Sequence, residues 1–403
     1  MNETNGRWRI DNVNIVTGET LLTGSVLVED GIIVSITETG AGRSGEEAFR
    51  TGNGDNGEEL KVIDGEGGWL LPGFIDMHVH GGFGADFMDA SRDAYDTITK
   101  FHASKGTTTM LATSMTAPKE AIEAVLAAAD SYTSGSMPYA RLGGVHLEGP
   151  FISKKWIGAQ NPAFVVPPNV EWVKRWNEDH PGLIKQLTLA PETEGAAELI
   201  GWLAEQGIVA ACGHTDATYE QIIAAADAGL RSAVHTYNAM TGLHHRNPGT
   251  LGAVMSDGRI SAELIADGHH VHPAAMRILA AAKPADKLVL ITDAMSSAGM
   301  GDGQYELGGQ AVTVKDGVCR LTEGGSLAGS SLTMIDALTI FKQATGWTVP
   351  AISRLLSGNP AKLLGIDNRT GTIATGKWAD LVWTDASFEI RTTWVEGRPV
   401  FTA

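Results

Sequence analysis

The chain has 403 residues, 43% of them hydrophobic, and its 47 acidic against 30 basic side chains give a formal net charge of −17 at pH 7. This length predicts one large domain and a smaller one, and the acidic balance argues against a nucleic-acid or anionic-membrane partner. Two cysteines are too few for a disulfide framework, and we find no signal-peptide pattern and no apolar run long enough to span a bilayer. We therefore expect a cytoplasmic protein.

Both ends of the chain have a β pattern. Residues 7–37 alternate short β-rich runs with turn residues, which predicts hairpins of a small sheet, and the pattern returns over the last forty residues. Residues 38–58 are rich in Gly and Glu, and we expect a flexible surface excursion there. These patterns predict a small β-sandwich-like domain built from residues 1–70 and 366–403, with residues 71–365 inserted between them.

The middle of the chain alternates apolar strands with helices. Helical stretches such as the one that follows Pro118, which we place in a first turn, separate eight candidate strands: 73–79, 107–115, 142–148, 184–190, 207–213, 232–237, 260–266 and 287–292. Eight strands alternating with helices is the count of a (β/α)8 TIM-type barrel, an α/β fold whose chemistry lies at the carboxyl ends of its strands. A doubly wound open sheet would show a similar alternation.

Polar residues at the strand ends favour the barrel, since only a barrel brings all these ends to one rim. They fall at the first, third, fifth, sixth and eighth strands: His78 and His80, Glu148, His214, His235, and Asp293. His78 and His80, in PGFIDMHVH, are two residues apart, so their side chains point to the same face of an extended strand. Each residue taken alone is more often a core or surface side chain, but together they predict a divalent-metal site. Zn²⁺ is the default ion, and Fe²⁺, Mn²⁺ or Co²⁺ would also fit.

Asp293 and two further features suit hydrolysis of an amide in an anionic substrate. Asp293 follows the apolar run KLVLIT, and a carboxylate there can move a proton between water and a leaving nitrogen, although Asp is also a common helix N-cap. An imidazole of IADGHHVHP can hydrogen-bond a carbonyl oxygen as charge develops on it. Arg246, in LHHRNPG, offers a planar fork suited to phosphate, although a surface salt bridge is the commoner use of a single Arg.

Together these segments resemble a known family. They are PGFIDMHVHG, GTTT at 106–109, LEGPF, GHTDAT, HTYNAMTGLHHRNPG, ADGHHVHP, TDAM, LAGSSLTM and NPAKLLG. The chain is similar from about residue 5 to its end to the N-acetylglucosamine-6-phosphate deacetylases of the amidohydrolase superfamily. The resemblance implies hydrolysis of the acetamide of N-acetyl-D-glucosamine 6-phosphate to D-glucosamine 6-phosphate and acetate, with metal-activated water.

The resemblance also implies roles for individual residues. Asp293 matches the catalytic acid and base, His270 matches the residue that polarises the carbonyl, and Arg246 matches the phosphate contact. The matched metal ligands are Glu148, His214 and His235, and the substrate contacts are Ala159, Gln160, Asn238, Ala239, Arg246, His270, Leu327, Ala328 and Gly329. Gln160 departs from the histidine often found at its position. Because His78 and His80 are retained, the site can hold one ion or two, and family members are typically homodimers.

Other functions are weighed against this one. Another deacetylase or a cyclic amidase of the superfamily would commonly bridge two metals with a carboxylated lysine on the fourth strand, but TLAPE has no lysine. A catalytically silent barrel used as a scaffold would be expected to have lost ligands, and every expected ligand is present. The sequence leaves open the preference between glucosamine and galactosamine phosphates.

Overall fold

The computed structural model describes residues 6–18, 20–40 and 60–403, so most of the excursion expected at 38–58 lies outside the described residues. The chain forms two compact units. One contains the described residues up to Ile75, together with Ala103–Thr108 and Trp347–Ala403, and the other contains Asp76–His102 and Thr109–Gly346. The domain bounds that we placed at 1–70 with 366–403, and at 71–365, stay a prediction.

The first sheet begins with five strands of the amino-terminal segment: β1 (Trp8–Thr17), β2 (Thr20–Glu29), β3 (Ile32–Glu38), β4 (Lys61–Asp64) and β5 (Trp69–Pro72). β1, β2 and β3 form an antiparallel meander, and β4 and β5 run parallel to β1. Buried and less buried residues of β1 largely alternate, with a shift at a bulge between Ile10 and Val13, as expected for a strand with one face on a core.

The second sheet is a parallel barrel. It starts with β6 (Phe74–Val79). A separate short antiparallel pair, β7 (Gly81–Gly82) and β8 (Ala85–Asp86), follows β6 in the chain. The other barrel strands are β9 (Thr107–Ser114), β10 (Arg141–Glu148), β11 (Ile184–Leu189), β12 (Val209–Cys212), β13 (Ser232–Ala233), β14 (Ser261–Ile265) and β15 (Leu288–Ile291). They pair in chain order from β6 to β15, and the Asp293 N–H donates to the His78 carbonyl at 2.8 Å, which joins the last strand end to the first. The predicted barrel with a small β domain is confirmed.

Helices connect the barrel strands and continue beyond the last one. The α-helices span Arg92–Ala103, Lys119–Thr133, Val170–Asp179, Ala196–Glu205, Tyr219–Ala228, Gly249–Ser256, Pro273–Ala282, Met334–Thr345, Val349–Ser353 and Asn359–Leu363. A π-helical turn spans Arg354–Gly358, and 3-10 turns span Phe87–Asp89, Lys154–Trp156, Pro162–Phe164 and Ala285–Lys287. Pro118, expected in a first turn, is instead the N-cap residue, with ψ of 146° outside the helical region.

The sixth barrel strand is shorter than predicted. We expected residues 232–237, but the strand ends at Ala233. His235 and Tyr237 have φ of 30° and 85°, values that no strand accommodates. The apolar and β-branched residues of this segment suggested a longer strand, but the chain turns sharply at the rim of the barrel.

Six strands follow the barrel. A three-stranded antiparallel sheet contains β16 (Gly303–Leu307), β17 (Gln310–Lys315) and β18 (Val318–Leu321), with the predicted turn at Asp316-Gly317. The chain then returns to the first sheet with β19 (Leu381–Thr384), β20 (Ile390–Val395) and β21 (Arg398–Thr402). The first sheet has the order β21-β20-β19-β5-β1-β2-β3, with β4 also on β1, so both ends of the chain build it. Trp8 stacks on Trp394 at 4.9 Å between ring centroids.

Candidate metal centre and active site

The polar residues predicted at the strand ends converge at one end of the barrel. They form two groups, in each of which the ligand atoms all lie within 4.8 Å of one another. We call Glu148, His214 and His235 the Glu148 triad, and His78, His80 and Asp293 the His78 triad. All six side chains are buried.

The Glu148 triad has the spacing of a metal ligand set. Glu148 Oε1 lies 3.2 Å from His214 Nε2 and 3.1 Å from His235 Nε2, and the two imidazole nitrogens are 3.1 Å apart. A tetrahedral Zn²⁺ with Zn–N distances near 2.0–2.1 Å holds its ligand atoms roughly 3.3 Å apart. Nitrogen lone pairs at this distance repel each other unless a proton or a cation lies between them, so the observed spacing fits a bound cation.

The His78 triad adjoins the first through the carboxylate of Glu148. Asp293 Oδ1 lies 3.2 Å from His80 Nε2 and 3.6 Å from His78 Nε2. Glu148 Oε1 is 3.3 Å from His78 Nε2, and Glu148 Oε2 is 3.3 Å from His80 Nε2. One carboxylate therefore faces both groups, as a bridging ligand between two ions would.

The far nitrogens of three of the four imidazoles, those of His80, His214 and His235, contact backbone carbonyls that fix the ring orientations. His80 Nδ1 lies 3.2 Å from the Thr113 carbonyl, and His214 Nδ1 lies 2.9 Å from that of Trp156. Likewise, His235 Nδ1 lies 3.2 Å from the Asn238 carbonyl. A carbonyl only accepts, so Nδ1 carries the proton and Nε2 is left with its lone pair facing the cluster. Metal-binding histidines have this arrangement.

An orphaned nitrogen gives a second test of whether a cation fits. His78 Nε2 is buried and has no hydrogen-bond partner in the described part of the chain, although it lies 3.3 Å from Glu148 Oε1. A buried polar atom left unsatisfied is costly, so such an atom needs an explanation. A divalent cation held between the imidazoles and carboxylates would satisfy it, and the residues present fit that ion.

The electrostatics of the site point in the same direction. Burial lowers the pKa of His80, but its contacts with Asp293 and Glu148 raise it to about 9. Burial likewise lowers the pKa of His78, and the charges of Glu148 and Asp293 raise it well above its ordinary value. Burial raises the pKa of Glu148, but His78, His214 and His235 hold it well below its usual range. The anionic carboxylates therefore attract positive charge, which a metal can supply in place of protons.

The strand ends hold these side chains with strained backbone. His214, His235 and Asp293 have φ of 49°, 30° and 51°, in the left-handed region that is uncommon for residues other than Gly. The conformation of Asp293 is held on both sides, because its N–H donates to His78 O and its carbonyl accepts from Ser330 N, both at 2.8 Å. Strain of this kind is maintained where the surrounding structure requires it, often at functional sites.

A cavity of about 320 Å³ opens onto the two triads, a size within the usual range of small-molecule sites. Most of the residues predicted from the sequence line it: His80, Glu148, Ala159, Gln160, His214, His235, Asn238, Ala239, His270, Asp293, Leu327 and Gly329. Sequence reasoning missed four other lining residues, namely Met115, Gly158, Leu307 and Ser326. A Cβ on Gly158 would lie 3.1 Å from His214 Cε1, so the backbone approaches this candidate ligand closely there.

Three predicted residues do not line this cavity. His78 is fully buried among the other candidate ligands, and Ala328 is buried in a hydrophobic cluster that includes Met115 and Met295. Arg246 is exposed and lines a separate pocket of about 220 Å³, where its Nη1 contacts His245 Nε2 at 2.7 Å. The barrel of a single chain therefore does not bring Arg246 to the cavity.

His270 is held by a partner that sequence reasoning did not single out. His270 Nδ1 lies 2.7 Å from Asp267 Oδ2, and the other oxygen of Asp267 accepts from the backbone amides of His269 and His270. Burial raises the pKa of Asp267, but these hydrogen bonds, led by that of His270, lower it below its ordinary value. The ring thus presents Nε2 for other contacts. The signal was available, since Asp267 stands three residues before His270 in ADGHH.

Known proteins resemble the chain over most of its length. Residues 69–400 match the model of the amidohydrolase family. The chain is 43% identical over 335 residues to the N-acetylglucosamine-6-phosphate deacetylase of Bacillus subtilis (82% of this chain, 84% of the relative). It is 39% identical over 339 residues to an N-acetylgalactosamine-6-phosphate deacetylase of Escherichia coli (84% and 89%). Among solved structures, the chain is similar to an Asp-to-Ala variant of the Mycobacterium smegmatis N-acetyl-D-glucosamine-6-phosphate deacetylase, which was solved in complex with N-acetyl-D-glucosamine-6-phosphate. The two structures superpose with a TM-score of 0.88 at 31% sequence identity, over 98% of this chain and 99% of that one.

Proposed function

The chain belongs to the amidohydrolase family and, within it, to the N-acetylglucosamine-6-phosphate deacetylases, and we propose that it hydrolyses N-acetyl-D-glucosamine 6-phosphate to D-glucosamine 6-phosphate and acetate. The observation that carries the proposal is the convergence of both triads on one cavity. The family resemblance inferred from the sequence motifs is confirmed.

Asp293 is the proposed general base and acid. Its Oδ1 lies among His78, His80 and Glu148, and the residue lines the cavity, so its carboxylate can reach a water placed against the triads. Burial raises the pKa of Asp293, but the neighbouring His78 and His80 lower it below its ordinary value, so the group is ionised at neutral pH and can accept a proton. It would take a proton from the attacking water and deliver it to the nitrogen as the C–N bond breaks.

The proposed ligands of a divalent ion, most simply Zn²⁺, are Glu148, His214 and His235, with His78 and His80 available for a second ion. An ion bound there would polarise both the amide carbonyl and the water.

Two sets of residues would orient the substrate. Asp267 accepts the Nδ1–H of His270, so Nε2 of that ring can donate to the acetamide oxygen, as negative charge develops there, when the ring is doubly protonated. The cavity-lining residues Ala159, Gln160, Asn238, Ala239, Leu327 and Gly329 would contact the sugar, and the buried Ala328 would support that loop from behind.

The phosphate contact requires a second chain. Arg246 does not line the cavity of its own chain. We therefore propose a homodimer in which Arg246 reaches the cavity of the partner, where its guanidinium would bind the phosphate in a bidentate manner. The chain has no helix, among the residues that the structure describes, that is long and apolar enough to cross a membrane. For the compartment we propose the cytoplasm.

A second substrate has a specific observation in its favour. A relative that is 39% identical over 339 residues is an N-acetylgalactosamine-6-phosphate deacetylase. The two sugars differ only in the configuration of one hydroxyl group, so the acetamide, the phosphate and the reaction are the same. The epimer is therefore the second candidate substrate.

Acetate release tests the proposal. The protein is stripped of metal, reloaded with Zn²⁺, and assayed with N-acetylglucosamine 6-phosphate, its galactosamine epimer and unphosphorylated N-acetylglucosamine. We expect release that depends on the ion, strongly prefers phosphorylated sugar and is faster with the glucosamine compound. Faster release from the galactosamine compound would favour the second candidate, and no release from any sugar with metal bound would refute both.

A further inference from the structure

A carboxylate without a role so far lies fully buried next to the His78 triad. Glu263 is the middle residue of β14, its side chain is 0% exposed, and the strand around it, SAELI, is otherwise uncharged. A glutamate is almost never fully buried unless it has partners, because transferring a charge out of water is costly. Its partners therefore indicate what it does.

Each oxygen of Glu263 has its own contacts. Oε2 lies 3.3 Å from His78 Nδ1. Oε1 accepts from Gln186 Nε2 at 2.8 Å and from Ser232 Oγ at 3.4 Å. Among the side chains in the described part of the chain, these are its hydrogen-bond and ion-pair partners, and His78 is the one that can carry charge.

The contact with Glu263 determines which nitrogen of His78 faces the cluster. A carboxylate accepts, so Nδ1 of His78 must carry a proton. A neutral His78 then has its lone pair on Nε2, the nitrogen that lies 3.3 Å from Glu148 Oε1 and has no hydrogen-bond partner among the residues that the structure describes. In the other tautomer, Nε2 would carry the proton and could not bind a cation.

His78 also differs from the other three imidazoles of the site. Nδ1 of His80, His214 and His235 contacts a neutral backbone carbonyl, whereas Nδ1 of His78 contacts a carboxylate. An anionic acceptor makes the opposite nitrogen a stronger electron donor than a carbonyl does. Glu263 thus adds negative charge to one triad and not to the other.

We propose that Glu263 is a positioning residue that fixes His78 with Nε2 toward the cluster and so gives the His78 triad its affinity for a divalent cation. The inference rests on the proposed function only in requiring that such an ion binds to this site. The proposal distinguishes the two triads, because within the described residues no side chain of the Glu148 triad forms a hydrogen bond or an ion pair with Glu263.

Two substitutions separate the hydrogen bond from the charge. Glu263→Leu removes both and leaves His78 Nδ1 without an acceptor. Glu263→Gln keeps an oxygen for His78 but removes the charge. Its new amide N–H can be accommodated, because Gln186 Oε1 is buried with no hydrogen-bond partner in the described ranges, and a flip of the Gln186 amide would present it as the acceptor. Ser232→Ala is the matched control, since it removes a contact to the same carboxylate without touching His78.

The readout is metal affinity measured without substrate. Metal-stripped protein is titrated with Co²⁺ in competition with a chelator, and the absorption bands of Co²⁺ report each equivalent as it binds. The equivalent that is lost in His80→Asn identifies the His78 triad. We expect Glu263→Leu to weaken that equivalent on the order of 10–100-fold, Glu263→Gln to weaken it less, and Ser232→Ala to leave it unchanged. The affinity of the Glu148 triad should be the same in all variants.

Unchanged affinity in both Glu263 variants, or an equal loss at both triads, would overturn the proposal. So would a wild-type chain that binds a single equivalent with an affinity that neither substitution alters. Circular dichroism checks folding, and if Glu263→Leu does not fold, Glu263→Gln decides alone. Failure of the proposed function is a separate result, because a chain that hydrolyses no amino sugar can still show the affinity loss, and an active deacetylase can lack it.

Discussion

Gln160 donates its side-chain amide to Glu148 Oε2 at 2.6 Å, while its carbonyl oxygen accepts the backbone N–H of Thr116 at 2.7 Å. Glu148 Oε2 is also the carboxylate oxygen that lies 3.3 Å from His80 Nε2. Both polar ends of Gln160 are thus engaged inside the protein, although the residue lines the cavity. Where the resembled family often has a histidine, this chain uses a neutral amide that orients the carboxylate shared by the two triads.

Replacing Gln160 by Leu should lower the free energy of unfolding of the metal-free protein by about 1–3 kcal/mol. The substitution leaves the buried Thr116 amide without an acceptor, and an unpaired buried donor costs about that much. Urea unfolding followed by circular dichroism measures the change. Gln206, which is exposed, provides the control, and Gln206→Leu should stay within about 0.5 kcal/mol of the wild type. Equal stability of the two variants would contradict the structural role of Gln160.

Replacing Asp293 by Asn should lower kcat by about 10²–10⁴-fold, the usual contribution of a general acid or base. The ion of the Glu148 triad should remain, because that triad does not include Asp293. Acetate release and metal content by mass spectrometry are measured on the same zinc-loaded sample. Asp93→Asn, at an exposed helical position, should behave as the wild type. Retained turnover in Asp293→Asn would refute the acid and base role.

The affinity of the His78 triad for Zn²⁺ should rise with pH. The pKa of His80 is raised from 6.5 to about 9, so the metal-free folded protein holds a proton there at pH 7 that the unfolded chain has largely released. This proton stabilises the metal-free fold fully below about pH 6.5, and the stabilisation is lost as the pH rises through about 9. Zn²⁺ needs the neutral imidazole and must displace the proton.

Chelator competition at several pH values across this window measures the zinc affinity. Urea unfolding of metal-free protein over the same range should show stability falling as affinity rises. His80→Asn removes one of the two histidines with a raised pKa, so the stability of the metal-free variant should fall less steeply with pH than that of the wild type. A wild-type zinc affinity that falls as the pH rises toward 9 would contradict the predicted direction of the pH dependence.

Replacing Arg246 by Ala should raise KM for the phosphorylated sugar by roughly 10–150-fold, which corresponds to the 1.5–3 kcal/mol of a hydrogen bond to a charged group. Activity toward the unphosphorylated sugar should not change. Sedimentation of both proteins reports whether the chain is a dimer, as an Arg246 supplied by the partner requires. Arg175→Ala, at an exposed position of the helix Val170–Asp179, is the matched control. An unchanged KM in a dimeric Arg246→Ala variant would exclude the phosphate role.

Local patterns in the sequence predicted much of the fold. Apolar runs ending in a polar residue predicted the barrel strands and their order, because burial on both faces of a parallel strand requires continuous apolar residues. The Asp-Gly pair at 316–317 also predicted a turn, because Asp and Gly tolerate positive φ, and both residues have positive φ in the structure. His214, His235 and Asp293 were found because a polar residue after an apolar strand is a local signal.

The tertiary structure decided which residues from distant segments come into contact. Glu263 was visible as the one charge within SAELI, but its contact with His78, 185 positions away in the chain, depends on barrel closure. Arg246 has a suitable side chain and a local motif, yet its loop lies outside the cavity. Periodicity reports which residues are buried, whereas the partners of a buried group are set by strand register and by contacts between distant segments. For this reason the sequence determined the barrel and its ligand types, and only the folded chain decided which nitrogen of each histidine faces the metal site.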